Sequence, residues 1–175
     1  MAKINNTDYR GEYYSSQVKK HGRKYPEFHW PSVETLLNLV YTYDIVSAHL
    51  SRKISPYGIT KAGFSVLMIL SRSPSKARKQ NEISQLMLVS RANITGLVDS
   101  LVRPGLVERT NDPRDRRVNR VRILPKGEKL LKDLLPVYYK DVHDIYSIFT
   151  AGEKKKLNDL LIRLRNKTNE VKRQL

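Results

Sequence analysis

The sequence predicts a mainly α chain carrying one small β-hairpin, on three observations. Two short helices, each preceded by a capping residue, are joined by a tight turn between residues 81 and 103. Two short alternating segments then bracket a polar, arginine-rich loop between 106 and 124. Longer helical patterns lie on both sides, at 31–55 and 125–175.

Taken in order, residues 1–30 are polar, basic and rich in tyrosine (Tyr9, Tyr13, Tyr14, Tyr25) without a sustained apolar period. They read as an N-terminal arm that is loose or ordered only by docking. After Trp30-Pro31, Ser32 is the expected N-cap of a helix to about Lys53, with Leu36, Leu37, Val40, Ile45, Val46 and Leu50 suited to a buried face. Ser55-Pro56-Tyr57-Gly58 breaks that helix. Thr60 caps the next, in which Phe64, Leu67, Met68 and Leu70 recur at helical spacing, and Ser71 to Ala77 reads as a turn-rich connector.

Asn81 is the expected cap of a short helix burying Ile83, Leu86 and Met87, and Val89 enters a tight turn before Ser90, the cap of a further helix to about Arg103. There Ile94, Leu97, Val98 and Leu101 fall at i, i+3, i+4 and i+7, leaving the small and polar residues Arg91, Ala92, Asn93, Thr95 and Gly96 on the other side or at the leading end. A helix with such an edge can enter a major groove. Pro104-Gly105 stops it, and Leu106–Thr110 and Val118–Leu124 read as the strands of a hairpin, a wing around Asn111–Arg117. From Pro125 to about Phe149 a helix of roughly 36 Å is expected, bent at Pro136. Ala151 to Leu175 forms a last helix whose Leu157, Leu160, Leu161, Leu164, Thr168, Val171 and Leu175 trace a narrow seam. That seam suits either a partner helix or packing within the chain.

Composition removes whole classes of function. The 175 residues contain no cysteine, which excludes disulfides, thiolate metal sites, thiol nucleophiles and cysteine redox switches. His21, His29, His49 and His143 show no metal-ligand spacing, so no metal and no cofactor is expected. No phosphate loop, GxSxG elbow, HExxH or set of paired carboxylates is present, and the chain does not read as an enzyme. No apolar run approaches the roughly 18 residues of a membrane span, and the polar start lacks a signal-peptide core. A soluble cytoplasmic protein is expected.

The net charge is +16, a potential that gathers polyanions. Charge alone fits DNA, RNA, ribosomal or anionic-lipid partners. Its placement says more: Arg109, Arg114, Arg116, Arg117, Arg120 and Arg122 crowd the hairpin, and arginine suits planar hydrogen bonding to phosphate or base edges.

The run SRANITGLVDSLVRPGLVERTNDPRDRRVNRVRILPKGEKLL, from Ser90 to Leu131, resembles the MarR family of bacterial winged-helix transcriptional regulators. The resemblance covers about residues 33–170 and joins the recognition-helix pattern, Gly105-Leu106-Val107 and the wing signature Asp112-Pro113-Arg114-Asp115-Arg116-Arg117. Gly58-Ile59-Thr60 and Phe64-Ser65-Val66-Leu67 look like the family's second helix entry. The chain departs from it at Leu124, where the family's usual Thr would cap the helix, and at Pro104, where a helix former is common.

The resemblance implies a winged helix-turn-helix lobe at 58–124 and a dimerisation stalk built from 31–55 and 125–175, within a domain spanning 31–175. It implies a homodimeric, ligand-responsive repressor on a pseudo-palindromic operator. On that reading Ser90, Arg91, Asn93 and Thr95 meet groove and phosphates, Arg114 and Arg116 touch backbone, and Arg117 enters a minor groove with Asp115 orienting it. Tyr41, Tyr43, Tyr57 and Tyr138 are the expected lining of a pocket for a small aromatic or anionic effector. The alternative is an architectural or RNA-binding basic protein without sequence readout.

Overall fold

Where the sequence suggests a loose arm, Tyr9–Gly22 form a helix, α1. The structure is a computed structural model and describes residues 9–111 and 119–172. Helix α1 needs no apolar stripe to persist, because its last turn places Lys19, Lys20 and His21 against the negative end of the helix dipole. Its end is also packed. A turn through Tyr25 brings Phe28 against Gly22 so closely that a Cβ there would lie 2.2 Å from the ring. The Phe28 and Trp30 rings are 6.3 Å apart, and Lys19 Nζ stands 5.0 Å over the Trp30 ring.

Helix α2, Trp30–Ile54, starts three residues earlier than Ser32 as its cap would set it. The His29 carbonyl accepts the first bonds, from the N–H of Ser32 and Val33 at 3.1 and 3.2 Å. Ser32 therefore sits in the first turn, its hydroxyl 2.7 Å from His29 Nδ1. Pro31 is tolerated there because first-turn N–H groups have no intrahelical acceptor. Residues up to Arg52 make one structural unit and those from Lys53 another.

The second unit opens with a 3₁₀ turn, Ser55–Tyr57, closed by Gly58 at φ 73°. Thr60 caps α3 (Lys61–Ser71), accepting the Gly63 N–H at 3.0 Å. Strand β1, Ala77–Lys79, is absent from the sequence reading because three residues carry no period. It exists through its partner, pairing Ala77 with Arg122 and Lys79 with Arg120. Strand β1 also moves the start of α4 to Gln80–Met87, with Lys79 at the cap position and no side-chain cap. Asn81 is thus inside the first turn, not the cap, and its Oδ1 accepts the Glu82 N–H at 2.9 Å.

Ser90 caps α5, Arg91–Val102, as expected, accepting the Asn93 N–H at 3.2 Å. Strands β2 (Val107–Asn111) and β3 (Asn119–Ile123) pair antiparallel, and the sheet order is β1-β3-β2. Helix α6, Pro125–Tyr146, has Leu124 at its cap position with no side-chain bond, and continues past Pro136. It stops short of Phe149 because Thr150 begins the next helix. Thr150 accepts the Glu153 N–H at 3.3 Å and donates its own N–H to Glu153 Oε2 at 2.8 Å, a reciprocal cap for α7, Ala151–Lys172. The Thr150 N–H and the Thr150 hydroxyl, each donating to Glu153 Oε2 at 2.8 Å, hold the Glu153 carboxyl below its usual range.

The core of this unit joins Phe64, Val66, Leu67 and Leu70 of α3 to Ile83 of α4, Ile94, Val98 and Leu101 of α5, and Leu131 and Leu134 of α6, closed by Val107, Val121 and Ile123 of the sheet. Leu86, expected inside, is exposed. Along α7, Leu157, Leu160, Leu164 and Val171 are exposed and Leu161 is half-buried.

Candidate nucleic-acid interface

The Ser90 cap and the Ile94–Val98–Leu101 face fix α5 from two directions, one at its leading end and one beneath. What remains outward is the edge the sequence marks. Ser90, Arg91, Ala92, Asn93, Thr95 and Gly96 are all exposed. A Cβ added at Gly96 would meet nothing within 4 Å, so packing does not require a glycine there. A glycine inside a helix costs roughly 0.5–1 kcal/mol against alanine, and its benefit lies in letting another molecule approach the backbone.

Two further side chains, which the sequence reading did not select, hold this helix in place. Gln80 at the start of α4 donates from Nε2 to Thr95 Oγ1 at 2.8 Å, while that hydroxyl donates to the Arg91 carbonyl at 3.0 Å. The Thr95 hydroxyl is therefore engaged within the chain. Arg109 of β2 forms an ion pair with Asp99 and donates from Nη2 to the Thr95 carbonyl at 3.2 Å. The hydrogen bond from Arg109 is the main cause that keeps the Asp99 carboxyl below the usual range, so it stays charged at neutral pH. The signal in the sequence was an acid on the polar side of a helix in a strongly cationic chain.

Because the folded carboxyl titrates lower than the unfolded one, this pair supports the fold above the unfolded carboxylate range and is lost as the pH falls through the folded value. Asp99→Asn is expected to weaken DNA binding about five-fold, on the scale of one exposed ion pair, while leaving the salt dependence unchanged. A shallower salt slope for Arg109→Ala would make Arg109 a phosphate contact instead of a positioning residue.

The hairpin rises beside α5 and is described up to the pair Asn111 and Asn119. Arg114, Asp115, Arg116 and Arg117 lie outside the described residues, as do Asp112 and Pro113. On the sheet, Lys79 of β1 and Thr110 of β2 flank Arg120 of β3.

Of the four tyrosines expected at a ligand pocket, Tyr41 and Tyr43 belong to the first unit and Tyr57 and Tyr138 to the second. Tyr138 packs on Phe64 with rings 4.9 Å apart, and burial raises its phenol pKa. The Tyr57 hydroxyl reaches the Asp133 carbonyl at 3.5 Å. Among the described residues no group of His, Asp and Glu could hold a metal ion, and no helix is long and apolar enough to cross a membrane.

Residues 57–118 match the sequence profile of the MarR family. The chain is 30% identical over 139 residues to YkoM, an HTH-type transcriptional regulator of Bacillus subtilis, covering 77% of this chain and 88% of YkoM. It is 25% identical over 151 residues to the HTH-type transcriptional repressor YetL of the same organism, covering 84% of this chain and 90% of YetL. A mutant MarR from Escherichia coli, solved in complex with operator DNA, has the same fold: TM-score 0.69 at 24% identity, over 79% of this chain and 99% of that one. With a capped helix-turn-helix, a three-stranded sheet ending in a hairpin, and relatives matched along most of their length, the chain belongs to the MarR family of winged-helix transcriptional regulators.

Proposed function

We propose that the chain is a cytoplasmic, homodimeric repressor that binds double-stranded DNA at a pseudo-palindromic operator. The observation that carries the reading is α5, buried on Ile94, Val98 and Leu101 and open along Arg91, Asn93 and Gly96, in a chain of net charge +16. In that reading Arg91 pairs with guanine or phosphate and Asn93 with adenine, through bidentate hydrogen bonds in the major groove. The hairpin arginines add phosphate contacts, which supply much of the affinity. The name of YetL as a repressor and the operator bound to the Escherichia coli MarR support the same assignment.

A homodimer is supported by two uncovered apolar stripes. Leu36, Val40 and Tyr43 are exposed at i, i+4 and i+7 on α2, and Leu157, Leu160 and Leu164 on α7. Two-fold symmetry then requires half-sites about 10 base pairs apart. A small aromatic or anionic effector, with Tyr57 and Tyr138 as the tyrosines of the second unit that would meet it, would act by favouring a lobe spacing that no longer fits DNA.

Selection of bound sequences from random duplexes tests the reading. An inverted repeat preferred by about a thousandfold over bulk DNA is the expected result. Binding without any preference would favour an architectural or RNA-binding protein. Arg117→Ala is expected to weaken operator binding and to reduce the salt slope by about one, with an unchanged melting temperature. Normal affinity at physiological salt would remove the wing from the interface.

A further inference from the structure

We propose that Leu88 is an apolar DNA contact that reads a thymine methyl in the half-site, an inference that rests on the DNA-binding reading above. Leu88 closes α4 in the left-handed conformation, with φ 55° and ψ 39°. Glycine or asparagine ordinarily fills such a position, because a Cβ there crowds the following carbonyl. Gly58 and Gly105 do so elsewhere in this chain, at φ 73° and 72°. Leucine makes the turn harder to close, and its side chain recovers nothing from the core, being 93% exposed.

The exposure is not isolated. Leu86, two residues earlier, is also exposed, and Ser90, Arg91 and Asn93 follow on the outward edge of α5. The Leu88 N–H closes α4 by donating to the Gln85 and Ser84 carbonyls, but its side chain adds nothing to the core, so the use of that side chain lies in what this edge meets. Charge chooses the occupant. The edge carries Arg91 and the capped, dipole-positive start of α5, in a chain with a surplus of 16 positive charges, which selects a polyanion over an apolar protein face. In the major groove the one apolar group on a base edge is the C5-methyl of thymine. A leucine beside a helix that reads this groove has that methyl as its natural partner.

The test uses duplexes selected by the full-length chain from a random pool. Each thymine of both half-sites is replaced in turn by deoxyuridine, which lacks only the methyl. The wild-type chain should lose about four-fold per half-site at one such position, the worth of one buried methyl. Leu88→Asn should bind the parent duplex more weakly by the same factor and be indifferent to that replacement, while Leu88→Met keeps the discrimination. Asparagine tolerates the left-handed turn, so the variant's Tm should rise by about 2–4 °C, which separates lost binding from lost folding. Unchanged affinity of Leu88→Asn for the parent duplex, or equal sensitivity of both proteins at every thymine, overturns the proposal. So does a changed sedimentation coefficient with unchanged DNA affinity, which would assign Leu88 to a protein contact. Failure of the wild-type chain to select any sequence would overturn the DNA-binding reading itself, before any variant is made.

Discussion

Gly127→Val is expected to destabilise the winged-helix unit by more than about 3 kcal/mol, enough to move the urea midpoint by about 1.5 M. A Cβ at Gly127 would lie 2.4 Å from the Leu106 carbonyl oxygen and 2.9 Å from Ile123 Cγ1. The first of these is backbone and cannot rotate aside. Leu106 is held on both sides, its carbonyl accepting the Leu124 N–H and its N–H donating to the Leu101 carbonyl, both at 3.0 Å. The end of α5, the entry to β2 and the first turn of α6 therefore meet at one buried peptide. Room for a side chain can come only by parting them and leaving buried polar groups unpaired. Gly96→Ala is the control, since nothing lies within 4 Å there and the helix should gain rather than lose stability. Urea titration followed by circular dichroism reads both, and a wild-type midpoint for Gly127→Val would show that this junction is looser than its geometry implies.

Replacing Leu160 and Leu164 together by lysine is expected to give a monomer and to lower operator affinity by at least about a hundredfold, the loss of the second half-site's contribution. These side chains are 48% and 47% exposed, so their removal takes nothing from the core of the single chain. In a two-fold interface each lysine would meet its own copy or a neighbour of like charge. Sedimentation at micromolar concentration should then find a 20.3 kDa species for the variant and twice that mass for the wild type, if the proposed dimer forms through α7. The circular dichroism spectrum should not change. A double variant that remains dimeric and binds DNA normally would place the interface elsewhere.

Elements whose defining bonds span a few residues were readable from the chain alone. Ser90 reaches Asn93 and Thr60 reaches Gly63, three positions on, so the starts of α5 and α3 fall where capping residues precede an apolar period. The Thr150–Glu153 cap was equally local and would have ended α6 before Phe149. Helix α1 escaped because its support is a dipole and an aromatic contact, not an apolar stripe. The candidate interface divides in the same way. The outward placing of Arg91 and Asn93 follows from the spacing of Ile94, Val98 and Leu101, whereas Arg109 and Gln80 become part of it only through the approach of β2 and α4 to α5.

By itself, the amino-acid order determined the helical and strand periods, the local caps, the charge surplus and the absence of thiol chemistry. Only the tertiary structure decided that Ala77–Lys79 is a strand, that α4 begins at Gln80, and that Leu157, Leu160, Leu164 and Leu88 are exposed. The reason is the range of the interactions. A cap or a turn is settled by neighbours a few bonds away, while β1 depends on Arg120 and Arg122 some forty residues later, and exposure depends on what the rest of the chain leaves unfilled.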